Sequence, residues 1–378
     1  MEVVWNNARV VAAQEVFAGS VSAVDGRIAS LDGGATAAPA VDCEGDYLIP
    51  GLIDLHTDHL ERHFTPRIGV DWNGFAAALA HDAQIACAGI TTVYDSLALI
   101  GGRKANNRHE TLTPMVEGVT KAHFAGVLRA DHRLHLRCEV VEETIVEMFS
   151  DYLDNPLLAF MSLMDHSPGQ RQFPTLESYR AAHTLLQHLG IDEADKVIAE
   201  RMEAARKYGP GNRRTLAAIG RARDLPMASH DDQTVEHVDE AAELGMHVAE
   251  FPTTLEAARA SRDHGMQIVM GAPNLVRGGS HSGNIAAGTL AEHDLLDILS
   301  SDYVPISMIQ AAFRLTAEPY GFALPKAIAT VRANPAAAGR RDARGTIALG
   351  LRADMVQVRV VEDIPVVRAV WREGRQVA

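Results

Sequence analysis

Residues 51–63 read GLIDLHTDHLERH, with three histidines and three acids behind an apolar run. Imidazole and carboxylate groups together are the donors that divalent metal ions take. His56 and Asp58 lie two apart, so in an extended segment both side chains face the same way and can reach one ion. Asp54, His59, Glu61 and His63 read as orienting or solvent-facing neighbours. The same residue types recur after later apolar runs: Glu139 in RLHLRCE, Asp165-His166 in LMDH, His230-Asp231 in ASHDD, Glu250 in AEFP and Asp302 in LSSD. Each has a plain structural alternative. Glu139 could be a rim salt bridge, His166 and His230 satisfied histidines, and Asp302 a helix N-cap. Their shared position at the ends of separate apolar runs is what points to a metal centre.

A second chemistry runs beside the first. NLVRGGSHSGNIAA (274–287) combines Arg277, Ser280, His281 and Ser282 with several glycines. Glycine lets backbone amides approach an anion, and arginine grips phosphate with a planar fork. No GKS/T follows, so this is not a Walker loop. MDHSPGQRQ adds Arg171, FTPR adds Arg67, and Arg137 shares a strand face with His135 and Glu139. These side chains suit a small, strongly anionic substrate.

Such groups need a scaffold that collects them from distant points of the chain. Short apolar runs occur at 52–56, 91–96, 133–140, 157–165, 226–231, 247–252, 267–273 and 297–302, with helical patterns between them. Continuous rather than alternating hydrophobicity marks strands covered on both faces. Eight parallel strands close a β/α barrel, whose chemistry sits at the strands' C-terminal ends. The pattern predicts a distorted (β/α)8 TIM-like barrel over 51–343. Segment 167–225 is too long for one connection and reads as a helical insertion. Both ends of the chain are β-rich, so 1–50 and 344–378 are expected to form one small β-sandwich domain.

Bulk properties narrow the partners. A net charge of −14 argues against nucleic acid and anionic membranes as partners. The three cysteines form no CxxC pair, and no apolar segment is long enough to span a bilayer. A reduced, cytoplasmic setting without a signal peptide is the expectation; a homo-oligomer is compatible with it.

In order, GLIDLHTDHLE, RLHLRCE, LMDHSPGQRQF, ASHDD, AEFPTT, GAPNLVRGGSHSGN and LSSDYVP resemble the phosphonate-utilisation branch of the amidohydrolase superfamily over essentially the whole chain. The resemblance implies hydrolysis of α-D-ribose 1-methylphosphonate 5-triphosphate to the 5-phosphate and pyrophosphate. It also implies one or two divalent ions, zinc first and manganese or iron as alternatives, held by His56, Asp58, Glu139, His166, His230 and Asp302. Asp58 stands where a second histidine is common in the superfamily, and Glu139 substitutes for a bridging modified lysine. His166 and His230 follow the fourth and fifth strands by this count, one earlier than the common pattern. Asp302 would accept the proton of the attacking water and later assist the leaving group. Arg67, Arg137, Arg171, Arg277, Ser280, His281 and Ser282 would bind the triphosphate. Two rivals remain: a sister enzyme cleaving a C–N bond, such as a cyclic amide hydrolase or deaminase, and a non-catalytic metal-binding scaffold.

Overall fold

A computed structural model describes residues 2–32, 40–100, 108–280 and 283–378. The chain begins with β1 (Glu2–Val11), β2 (Val16–Val24), β3 (Arg27–Asp32), β4 (Val41–Asp42) and β5 (Tyr47–Pro50). The barrel strands follow: β6 (Leu52–Thr57), β7 (Ile90–Leu99), β8 (Asp131–Glu139), β9 (Leu158–Met164), β10 (Met227–His230), β11 (Val248–Glu250), β12 (Gln267–Gly271) and β13 (Ile298–Ser300). The chain ends with β14 (Met355–Val361), β15 (Ile364–Arg372) and β16 (Arg375–Gln376).

The barrel strands pair in sequence order and in parallel from β6 to β13, one for each expected run. His166 and His230 therefore do follow the fourth and fifth barrel strands. β6 and β7 are buried along their whole lengths, because side chains on one face fill the barrel and those on the other meet the helices. Ile53, Leu55, Tyr94, Phe160, Val248, Val269 and Ile298 fill the interior. Three helices end at Gly89, Gly245 and Gly265, where positive φ lets the chain turn back to the next strand.

The seam between β6 and β13 explains the distortion. At its lower end Ile53 N–H and Leu299 N–H donate to Val331 and Thr330 carbonyls, so segment 330–331 is wedged between the strands. At its upper end the strands meet through a parallel bridge between Thr57 and Asp302. Segment 167–225 is the expected helical insertion, dominated by the helix Ile191–Ala222. No described helix is long and apolar enough to cross a membrane.

The chain ends form one continuous eight-stranded sheet, ordered β16-β15-β14-β5-β1-β2-β3 with β4 beside β1. It encloses its own core, in which Trp5 and Trp371 pack edge-to-face at 5.6 Å. Buried Arg332 of the barrel segment joins the two units: its guanidinium donates to the carbonyls of Gly345 and Ala12 in the terminal unit and of Pro325 in the barrel unit.

Candidate active site

Three strand ends share one backbone device. Asp231, Phe251 and Asp302, just past β10, β11 and β13, all have left-handed φ of 54–55°. Each N–H bonds to a neighbouring strand: Asp231 to Glu250 O at 2.9 Å, Phe251 to Val269 O at 2.9 Å and Asp302 to His56 O at 3.0 Å. The conformation costs a non-glycine residue on the order of 1–2 kcal/mol, and the sheet hydrogen bonds hold it in place. The chain thus leaves the barrel sharply while the strand-end groups meet over its mouth.

Three imidazoles converge there, each gripped by a carboxylate through Nδ1. His56 Nδ1 lies 3.0 Å from Glu250, His166 Nδ1 lies 2.7 Å from Glu139, and His230 Nδ1 lies 2.9 Å from Asp231. Ionised carboxylates only accept, so Nδ1 carries a hydrogen and Nε2 is the nitrogen that would face an ion, although Nε2 of His166 also lies 3.5 Å from Asp231 Oδ2. His230 Nε2 is buried with no hydrogen-bond partner among the described residues. His166, His230 and Asp231 form one group with ligand atoms within 4.8 Å, and His56, His135 and Glu250 form another. Burial, then the charges of Arg137 and His230, keep His56 neutral. Burial opposes protonation of His166 too, but Glu139 and Asp231 outweigh it and raise the imidazole to about 9.

Glu139, expected to bridge two ions, makes its close contacts here with His166. Both its oxygens are engaged by His166, one by the ring and one by the backbone N–H at 3.0 Å. It is placed to orient that imidazole from behind. The equivalent partners of the other two rings, Glu250 and Asp231, were absent from the expected ligand set, although both occupy strand ends visible in the sequence.

Asp302, the expected proton acceptor, lines the cavity at the barrel mouth. Burial, followed by repulsion from Asp58, raises its carboxyl to about 7. Gly271 at the end of β12 makes room for it: a Cβ there would lie 3.2 Å from Asp302 Oδ2. Beneath, buried Asp54 accepts from Ser301 N–H at 3.0 Å and His56 N–H at 3.3 Å, bracing both sides of the seam. Its carboxyl is likewise raised to about 7, chiefly by burial. Asp302 shares the cavity with His230, whose Nε2 has no partner among the described residues, and a carboxylate with an unpartnered imidazole nitrogen fits a place where a cation resides.

His56, Asp58, His230, Asp231 and Asp302 line a cavity of about 510 Å³, together with Arg62, Arg137, Arg277 and Ser280. Arg62 was not foreseen: it projects from the helix His59–Phe64 directly after the Asp58 turn. Two expected phosphate contacts lie elsewhere. Arg67 is exposed in a turn closed by Val70 N–H and does not line the cavity. Arg171 is buried and committed to an ion pair with Asp232, while it also donates to His230 O. Its charge is neutralised inside the protein, so it supports His230 from below. His281 and Ser282 lie outside the described residues.

A β/α barrel with imidazoles and carboxylates on its C-terminal rim and a second sheet from both termini is the architecture of the amidohydrolases. N-acetylglucosamine-6-phosphate deacetylase from Pasteurella multocida has this fold, with a TM-score of 0.63 and 13% identity over 100% of this chain and 99% of that one. A D-hydantoinase gives 0.61 and 14% identity over 100% and 95% of the two chains. No family model matches the chain. The alpha-D-ribose 1-methylphosphonate 5-triphosphate diphosphatase of Escherichia coli (strain K12) is 45% identical over 374 residues, 98% of this chain and 99% of that protein. The chain belongs to the family of that diphosphatase, and its fold is the one these solved structures share.

Proposed function

We propose that this protein hydrolyses α-D-ribose 1-methylphosphonate 5-triphosphate, the substrate in its relative's name, to the 5-phosphate and pyrophosphate. The observation carrying the reading is that one cavity brings imidazoles and carboxylates suited to a metal together with Arg62, Arg137 and Arg277. A neutral cyclic amide gives no use for three guanidinium groups; a triphosphate does.

His56, Asp58, His166, His230 and Asp302 would hold one or two divalent ions, and the mixed nitrogen and oxygen donors suit zinc, with manganese or iron as alternatives. When bound, such an ion supplies Lewis acidity, making water more acidic and drawing charge from phosphoryl oxygens. Glu250 and Glu139 hold His56 and His166 in the tautomer that offers Nε2. Asp302 takes the proton of the attacking water and returns it to the departing pyrophosphate. Arg62, Arg137 and Arg277 bind the triphosphate oxygens and steady the charge that builds as the anhydride breaks. Phe251 packs 4.8 Å from His56 and 5.3 Å from His230, keeping solvent from that side of the rings.

Competing substrates test this reading. The metal-loaded protein should release pyrophosphate from the ribose triphosphate and leave dihydropyrimidines intact. Turnover of the cyclic amide with none of the triphosphate would reject it.

A further inference from the structure

Beside the barrel mouth lies a second histidine group, none of whose members lines the cavity. His59 and His63 project from one face of the helix His59–Phe64, four residues apart, and His81 faces them from the helix Gly74–Cys87. Their ligand atoms lie within 4.8 Å of one another. His59 Nδ1 and His81 Nδ1 are 3.2 Å apart. Two imidazole nitrogens on one tetrahedral zinc, each at 2.0–2.1 Å, must sit about 3.3 Å apart. The geometry is therefore already that of two ligands sharing an ion.

The surroundings complete the pattern. His81 Nε2 lies 2.8 Å from Asp95 Oδ1, so it carries the hydrogen and Nδ1 presents a lone pair, which here accepts from His59 Nδ1 and which an ion would take instead. Asp95 in turn is held by His132 at 2.8 Å, and His132 by Asp82 at 3.3 Å. That deeper chain satisfies itself with hydrogen bonds. The His59–His63–His81 group does so only in part: His59 and His81 share one hydrogen bond, while His63 Nε2 is shielded from solvent and has no partner among the described residues. His63 is only partly buried, which gives an ion a way in.

We propose that His59, His63 and His81 form a second, structural divalent-metal site of zinc type, distinct from the active-site cavity. An ion there would tie the helix His59–Phe64 to the helix Gly74–Cys87. The first of these carries Arg62 and follows Asp58 directly, so the site would brace one wall of the cavity without touching substrate.

Cobalt loading tests this. Wild-type protein should bind one equivalent more than His63→Ala, and that equivalent should show the intense visible absorption of tetrahedral cobalt. The His56→Ala/His230→Ala variant, stripped at the active site, should retain it. Equal stoichiometry and superimposable spectra in wild type and His63→Ala would overturn the proposal. A wild-type measurement guards against misfolding of the variants: diethyl pyrocarbonate should modify His63 in chelated protein, and zinc should protect it. Modification of His63 at the same rate with and without zinc would also overturn it.

Discussion

Replacing Arg171 by methionine separates a phosphate-binding arginine from one that supports the site from within. The Arg171 side chain is 5% exposed and that of its partner Asp232 is 1% exposed. Ser229 Oγ donates to the other Asp232 oxygen, so the carboxylate sits in a closed network. Removing the guanidinium strands a buried charge, which costs about 3–5 kcal/mol. At roughly 2–4 °C per kcal/mol, a conversion drawn from smaller domains, the melting temperature should fall by about 6–20 °C. A direct phosphate contact would instead be worth about 1.5–3 kcal/mol, a change of about 10- to 100-fold in KM. The assay pairs urea unfolding with steady-state kinetics at a temperature where the variant is folded. The expected result is a large loss of stability with KM for the triphosphate within about threefold of wild type. Replacing both partners, Arg171→Met with Asp232→Leu, should recover much of the stability, because no unpaired charge remains. A tenfold or greater rise in KM with an unchanged unfolding midpoint would refute the reasoning.

Three further outcomes follow from the same geometry. Arg277→Ala should raise KM by about 10- to 100-fold through loss of a charge-assisted contact, whereas Arg67→Ala should leave KM within about twofold; equal effects in initial-rate assays would contradict the assignment. Gly271→Ala should lower kcat more than it raises KM, because the added methyl presses on Asp302 Oδ2; an unchanged kcat would show that Asp302 need not sit there. Burial disfavours the charged form of His132, but Asp95 and Asp82 outweigh it and raise its pKa to about 10. This folded value exceeds the unfolded one of about 6.5, so the stabilisation is full below pH 6.5 and is lost as pH rises through about 10. The stability difference between wild type and His132→Asn, measured by urea unfolding in chelator, should shrink over that range. A difference constant from pH 6.5 to 10 would contradict it.

Much of this architecture was legible in the residues alone, for identifiable reasons. Buried parallel strands leave unbroken apolar runs, and polar residues closing such runs have few places to go except the barrel rim. His56, Asp58, His230 and Asp302 were placed on the rim in that way, and all four line the cavity. The same rule reached Glu250 and Asp231, yet nothing local separates a residue that ligates from one that grips a ligand. Glu139 shows the difficulty: its role depends on His166, which lies 27 residues away in sequence. Arg171 was misread because its partner Asp232 lies 61 residues further on. Arg62 was missed because its helix is only six residues long, and its direction depends on the turn at Asp58. Nothing local marks His81 as more than a polar break in an alanine-rich run; its meaning comes from the neighbouring helix and from Asp95.

The central claim is that a phosphoanhydride breaks in the cavity roofed by Arg62, Arg137 and Arg277, with water attacking the phosphorus nearest the ribose. Phosphorus NMR of metal-loaded protein turning over the ribose triphosphate in oxygen-18 water tests it most directly. The account predicts pyrophosphate without label and a 5-phosphate signal carrying the oxygen-18 isotope shift. Orthophosphate as the first product, or label in the pyrophosphate, would contradict it.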